Sequence, residues 1–332
     1  MRDFVFDTVV SFLKQYSDSS LPTLLAFSGG PDSLAMLHNL LQYRERNPEF
    51  AFALAHVDHG WRVESGCEAD LIKGMAKDFN VPIHIKQLNP DEMKGNLESV
   101  CREARLQFFA ELCAECGYQA VILGHHADDL AETVLKRTLE GASLSRLGGM
   151  QPEVVMDKMK LWRPFLSVKK QQLLSWLEEH GLKGFEDPTN EDPRFLRARF
   201  RTRILPALAS EFGKEITTVL CRLGHESHEL RHYLDGKVSR YLDRIIESPF
   251  GVLLDLSNDC PSAELEVKHL IRSFCEKTSF AISREGLDSA TKIFMNGGVD
   301  KRIEQGGKCL CIDRHRLFIA GVTLRVEREY SI

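Results

Sequence analysis

The stretch LLAFSGGPDS, residues 24–33, begins as an apolar run and ends on an Asp-Ser pair that opens a helix. Ser28, Gly29 and Gly30 make the turn, and Pro31, Asp32 and Ser33 lead into the helical pattern. Glycines let the backbone fold tightly and approach a phosphate with no Cβ in the way. The first N–H groups of a helix have no partner within it, and the helix dipole favours negative charge there. Strand, glycine turn and helix start therefore make an anion site. A lone Gly-Gly would be explained by a plain strand-to-helix turn with a polar cap; the whole SGGPDS behind an apolar strand is much more specific. It is not a P-loop, because no Lys-Ser or Lys-Thr follows to reach β and γ phosphates.

Working outward, short apolar runs at 23–27, 50–56, 83–88 and 120–124 alternate with helical patterns at 32–46, 68–79 and 97–116, the second opened by a capping box of Ser65 and Glu68. That rhythm predicts right-handed crossovers and an α/β, doubly wound parallel sheet. Ligands of such sheets sit beyond the carboxyl ends of the strands, which directs the search to residues 28–33, 56–62 and 124–132. Beyond Gly148 come a short strand, a turn at Pro164 and a helix, then a proline-rich loop, FEDPTNEDPRF. From about Lys214 the pattern changes to a second, mainly helical domain with one further strand and a terminal hairpin. The division expected is 1–213 and 214–332.

The 332 residues fit about two domains. No apolar run reaches the roughly 18 residues that span a bilayer, so no membrane partner is expected. The N-terminus carries Asp3 and Asp7 within its apolar stretch and reads as an amphipathic helix, not a signal peptide. Nine cysteines without such a signal fit a reducing cytoplasm. The net charge of −5 does not suggest a nucleic-acid binder, yet five arginines and no acid lie between Arg194 and Arg203. Further Lys and Arg residues gather near the C-terminus, and any polyanion would meet these patches.

The SGGPDS loop resembles that of the PP-loop ATP-pyrophosphatase superfamily, whose members split ATP between the α and β phosphates. Four ordered stretches, HVDHGWR (56–62), LESVCREARLQFFAEL (97–112), LGHHADDLAETVLKRTLEG (123–141) and EDPTNEDPRFLRARFRTRILPAL (186–208), are similar to the tRNA(Ile)-lysidine synthase family. The likeness covers roughly residues 20 to 210, and the chain reads as a short form of that family. It implies adenylation of the C2 oxygen of the wobble cytidine in a CAU-anticodon tRNA(Ile), displacement of AMP by free L-lysine, and a homodimer. ATP and Mg²⁺ follow as substrate and cofactor, with the loop holding pyrophosphate and Asp32 helping to position Mg²⁺. His56 and Asp58 stand where the family lines the adenine with backbone. The resemblance assigns Arg102 and Arg105 to ATP or tRNA phosphates, and Arg197 and Arg201 to lysine or tRNA. The family usually has Arg-Asn where this chain has Arg197-Ala198.

Asp129 and Glu132, three apart on one predicted helix, share a face away from Leu130, Val134 and Leu135. A solvated face, with Glu132 paired to Lys136, is the plain alternative. The chemistry favours the other reading, since lysine arrives as an ammonium that cannot attack until it loses a proton. The HELRH stretch, 228–232, matches a zinc motif in form only: both histidines lie about 200° from Leu230 and should face solvent. Cys113 and Cys116 read as helix cysteines, and Cys309 and Cys311 as alternating strand residues. Two rivals are a tRNA cytidine thiolase, which needs cysteines at the strand ends, and a non-catalytic tRNA-binding protein, which would not need an intact SGGPDS.

Overall fold

Residues 24–27 carry no charge and no proline, so this run can be hydrogen-bonded on both edges and buried on both faces. It forms β1 (Thr23–Ala26), an inner strand of a six-stranded sheet. The computed structural model describes residues 3–58, 64–88, 97–156, 159–185, 192–194 and 196–320. Parallel neighbours of β1 are β2 (Phe52–Asp58) and β4 (Val121–Ile122); β3 (Ile83–Gln87) extends the sheet beyond β2 and β6 (Met159–Trp162) beyond β4. A last strand, β5 (Glu153–Met156), pairs antiparallel with β6 and gives the order β3-β2-β1-β4-β6-β5. The parallel sheet expected from the sequence thus gains one antiparallel edge. Only residues 157–158 separate β5 from β6, too short a connection for a parallel crossover.

Helices cover both faces. Side chains of α1 (Phe4–Tyr16), α2 (Pro31–Arg46), α3 (Glu64–Asp78) and α6 (Lys170–Glu179) join Leu25, Leu54, Ile122 and Trp162 in one apolar cluster. On the opposite face α4 (Leu97–Cys116) brings Phe108, Phe109 and Leu112 against Leu24, Ala53, Ala55 and Val121. Adjacent residues of one strand feed opposite clusters, Leu24 one and Leu25 the other, as a period of two requires. Helix α5 (Ala127–Leu139) leaves the end of β4 and packs through Leu130 and Val134 on Leu166. The order places β1 between β2 and β4, so the turns after β1 and β4 lie at the switch point where such sheets bind ligands.

Past α6, the chain runs through α7 (Leu196–Arg199), a π-helical turn at Phe200–Ile204, α8 (Leu205–Phe212) and the long α9 (Ile216–Leu242). The compact units are Met1–His228 and Glu229–Ile332, so the division falls inside α9, later than the 213/214 boundary read from the sequence. The first half of α9 is bonded into the N-terminal unit. Cys221 Sγ donates to Ala127 O at 3.2 Å, and Gly148 N donates to Ser227 Oγ at 2.9 Å. His228 Nε2 lies 2.9 Å from Met150 O and its Nδ1 2.9 Å from Gln151 Nε2. His228 is therefore held by the 148–151 segment and does not face solvent as its helical phase suggested; His232 is exposed.

The C-terminal unit holds the rest of α9, α10 (Glu264–Lys277), α11 (Arg284–Met295) and more sheet than the sequence suggested. Strands β7 (Ile245–Ser248), β8 (Gly251–Asp255), β9 (Lys301–Gln305), β10 (Lys308–Asp313) and β11 (Arg316–Ala320) form an antiparallel sheet ordered β7-β8-β11-β10-β9. Its core joins Val238 and Tyr241 of α9 to Phe274, Phe294, Leu310 and Leu317. Among the described residues no helix is long and apolar enough to cross a membrane. His59 to Arg62, most of the proline-rich loop and the C-terminal end from 321 lie outside the described residues, as do the side chains of the Ser65–Glu68 capping box.

Candidate active site

The glycine turn is closed by its own serines. Ser28 N donates to Ser33 Oγ at 3.3 Å, and Ser33 Oγ donates to Gly30 O at 3.0 Å. Pro31 takes the first helical position, and no side chain caps α2, which leaves the backbone N–H groups of its first turn facing the loop. Gly29 has φ +78°, and a Cβ there would lie 2.3 Å from the Phe185 ring. Phe185 N donates to Gly29 O at 2.9 Å, so residues 184–185 lie directly on the turn. Gly124, at the end of β4, serves close approach: a Cβ would stand 3.2 Å from the Asp32 carbonyl carbon.

That approach brings the residues after β4 onto the turn. His126, buried with 2% exposure, places Nε2 at 3.7 Å from Asp32 Oδ2 and 3.5 Å from Asp129 Oδ2, with Nδ1 3.6 Å from Asp128 Oδ2. Its backbone N–H also donates to Asp129 Oδ2 at 3.1 Å. Burial works against charge on His126, but Asp128, Asp129 and Asp32 outweigh it and raise its pKa above the ordinary imidazole value. Lys170, first residue of α6, donates from Nζ to Asp32 Oδ1 at 2.5 Å and from its backbone N–H to Asp128 Oδ2 at 2.7 Å.

Asp129 and Glu132 do share one face of α5, and that face is not solvated. Arg201, carried on the π-helical turn, donates from Nε to Glu132 Oε1 at 2.8 Å and from Nη2 to Asp129 Oδ1 at 3.3 Å. Lys136, the alternative partner for Glu132, pairs with Glu140 instead. Burial raises the Glu132 pKa, with Arg201 pulling the other way. For Asp129 burial also opposes charge, yet His126, through its charge and its backbone N–H, and Arg201 together hold it below the usual carboxylate range. The two carboxylates are thus set apart: one firmly ionised, one nearer to protonation.

The remaining expected residues line adjoining strand ends and helices. His56 and Asp58 are buried at the end of β2, with His56 Nδ1 donating to Phe27 O at 2.9 Å, one residue before the turn. Burial lowers the pKa of Arg105 of α4, and the charges of Arg102 and Arg197 lower it further. Ala198 is buried at 3%, where the family's usual asparagine would stand. His126, Lys170, His125 and Arg163 are site neighbours that motif reasoning passed over. Their partners are distant in sequence; only the GHH run before Asp128 gave a local signal for the two histidines. Among the described residues no three His, Cys, Asp or Glu side chains form a metal-holding set. Asp32, whose Oδ1 accepts from Lys170, offers one carboxylate at the phosphate turn, which fits Mg²⁺ carried by a nucleotide, since that ion takes one or two carboxylates with substrate phosphates.

Residues 6–208 match the PP-loop domain family. The chain is 42% identical over 316 residues to the tRNA(Ile)-lysidine synthase of Protochlamydia amoebophila (strain UWE25), covering 95% of this chain and 69% of that protein. It is 35% identical over 282 residues to the tRNA(Ile)-lysidine synthase of Chlamydia trachomatis serovar L2, covering 84% and 86%. Among solved structures, the U34-tRNA thiolase NcsA from Methanococcus maripaludis with its [4Fe-4S] cluster aligns at TM-score 0.55 and 19% identity, over 68% of this chain and 79% of that one, a likeness of fold alone. The chain belongs to the tRNA(Ile)-lysidine synthase family of PP-loop enzymes.

Proposed function

We propose that the protein joins free L-lysine to C2 of the wobble cytidine of CAU-anticodon tRNA(Ile), using ATP. The observation that carries this reading is the meeting of two kinds of chemistry in one crevice: Asp32 of the phosphate turn and Asp129 of the carboxylate pair both lie within 3.7 Å of one imidazole nitrogen of His126. In the first step the cytidine C2 oxygen attacks the α phosphorus and pyrophosphate leaves. Ser28, Gly29, Gly30 and Ser33, with the α2 N-terminus, receive its charge. Asp32 would hold the Mg²⁺ that accompanies ATP, which when bound would add to the neutralisation of that leaving charge. In the second step the lysine side-chain nitrogen forms a bond to C2 and AMP departs.

Asp129 and Glu132 bind the incoming ammonium and accept its proton. Asp129 suits the first task because it stays ionised, and Glu132 the second because burial makes it the more basic of the two. Arg201 keeps both oxygens aimed into the crevice, and Arg102, Arg105 and Arg197 meet nucleotide phosphates. His56 and Asp58 border the adenine through their backbone. The N-terminal unit performs the chemistry, while the C-terminal unit, with exposed Lys301, Arg302 and Arg314, adds tRNA affinity. Against the thiolase alternative, none of the described cysteines lies at a strand end of the N-terminal sheet, where a sulfur carrier would be needed. The test is incubation with CAU-anticodon tRNA(Ile), ATP, Mg²⁺ and labelled lysine, followed by analysis of the wobble nucleoside. Lysidine is expected, and absence of lysine incorporation overturns the assignment.

A further inference from the structure

Arg163 follows directly on β6 and is only 7% exposed, at the carboxyl end of a strand that runs parallel to β4. Its Nη1 donates to Gln151 O at 2.9 Å and its Nε donates to His125 Nδ1 at 3.3 Å. Both partners are neutral. Among the described residues no carboxylate lies within ion-pair distance of Arg163, and the same holds for Arg102, Arg105 and Arg197. These cations act on one another: Arg102 on Arg105 and on Arg163, Arg197 on Arg105. Burial, with Arg102 nearby, pushes Arg163 down to about 10. Burying a guanidinium without a counter-ion is unfavourable, and hydrogen bonds to a carbonyl and an imidazole offset only part of that cost. An arriving anion would offset the rest.

His125 is shaped by the same group. Because Nδ1 accepts from Arg163, the proton of the neutral ring sits on Nε2. Burial pushes His125 down to about 4, with Arg163, Arg105 and Arg197 adding to the effect against the pull of Asp129, so the ring stays neutral at working pH.

We propose that Arg163 is a phosphate-binding residue of the active site, which with Arg102, Arg105 and Arg197 forms a site for a phosphate group of a nucleotide substrate and fixes His125 as a neutral donor beside it. Planar, permanently charged guanidinium groups suit a tetrahedral phosphate, and Arg163 stands immediately after a sheet strand, its backbone N–H donating to Pro152 O. The inference rests on the nucleotide-substrate reading above and adds to it a cation 34 to 61 positions away from the other site arginines and outside the loops that carry the motifs. The phosphate belongs either to ATP or to the polynucleotide backbone.

The test compares wild type, Arg163→Met and Arg163→Lys in two binding measurements made without lysine, one with ATP and Mg²⁺, one with tRNA alone over a range of salt. Arg163→Met should weaken one ligand roughly tenfold to a hundredfold, the usual effect of removing a charged hydrogen-bond partner. Arg163→Lys, which keeps the charge and loses the fork, should recover part of it. Weakening confined to ATP assigns the site to the nucleotide phosphates. Weakening confined to tRNA, with a log–log salt slope shallower by about 0.7 to 0.9, assigns it to a backbone phosphate. Wild-type affinity of both variants for both ligands overturns the proposal. Should Arg163→Met fail to fold, Arg163→Lys decides by the same criteria. The binding arms alone judge Arg163, whereas lysine incorporation by the wild type judges the ligase reading.

Discussion

Arg201 Nε lies 2.8 Å from Glu132 Oε1, a pairing made across 69 positions of the chain. The carboxylate end of the pair is 3% exposed and the guanidinium end 40% exposed. Arg201 reaches in from the surface to a glutamate whose burial opposes its charge, and it shares the same guanidinium with Asp129.

Replacing Arg201 by methionine should therefore destabilise the protein by about 2 kcal/mol at pH 8, because an ionised, buried acceptor is left without its partner. The sign reverses the usual carboxylate pattern. Without Arg201 the folded pKa of Glu132 rises further above its unfolded value, so the destabilisation grows as pH rises toward that folded value and shrinks toward pH 5, as protonation removes the unpaired charge. Thermal unfolding at the two pH values measures this, and an equal effect at both would show that the pair is not what Arg201 contributes.

Asp129→Asn and Glu132→Gln preserve shape and remove charge. Each should lower lysine transfer by roughly 10² to 10⁴-fold while ATP binding stays near wild type. Single-turnover kinetics with pre-formed adenylated tRNA isolates the step. Unchanged transfer in both variants would leave the pair with a structural role only.

Gly29→Ala meets two obstacles at once, the positive φ of +78° and the Phe185 ring at 2.3 Å. A cost of about 2 kcal/mol or more and loss of ATP binding are expected. Pairing it with Phe185→Ala should relieve the clash and leave the backbone strain, so the double variant should recover only part of the ATP affinity relative to Gly29→Ala. Full recovery would mean that the ring alone makes Gly29 necessary.

His125 supplies a pH signature of its own. Its folded pKa of about 4 lies below the ordinary 6.5, so the stability associated with the neutral ring is complete above pH 6.5 and is lost as pH falls toward 4. The span corresponds to about 3 kcal/mol. His125→Gln should remove that acid-side decline, so denaturant midpoints of wild type and variant should converge between pH 7 and pH 4.5. Parallel curves would contradict it.

Lys301→Gln, Arg302→Gln and Arg314→Asn together should weaken tRNA binding and reduce its salt slope by about 2, at ~0.7 for each phosphate that the protein no longer neutralises. Asparagine suits position 314, where φ is +45°. ATP binding should not change. An unaltered slope would remove the C-terminal unit from the tRNA interface at these positions.

Much of the fold was readable from the chain, because its signals are local. A strand buried on both faces must be largely apolar, as β1 is after Thr23, and the turn that follows it carries glycines and free N–H groups suited to an anion. The three-residue spacing of Asp129 and Glu132 already put both on one face of a helix. Helical phase, by contrast, describes His228 only relative to its own helix and is blind to the segment that comes to lie on it. A residue expected in solvent is therefore bonded to Met150 and Gln151.

What meets across the crevice was decided only in three dimensions. Asp32 and Lys170 are 138 positions apart, Arg163 and His125 38 apart, and neither pair is foreshadowed by periodicity or motif. Each pairing follows from strand order: putting β4 between β1 and β6 brings Gly124, His125 and His126 against the α2 turn on one side and Arg163 on the other. The division within α9 has the same origin, since it depends on which surface a segment finds to bury against and not on its own pattern. Local chemistry wrote the phosphate turn and the carboxylate pair; long-range packing chose their counter-charges, because a charged side chain carries no record in its neighbours of the partner it will meet.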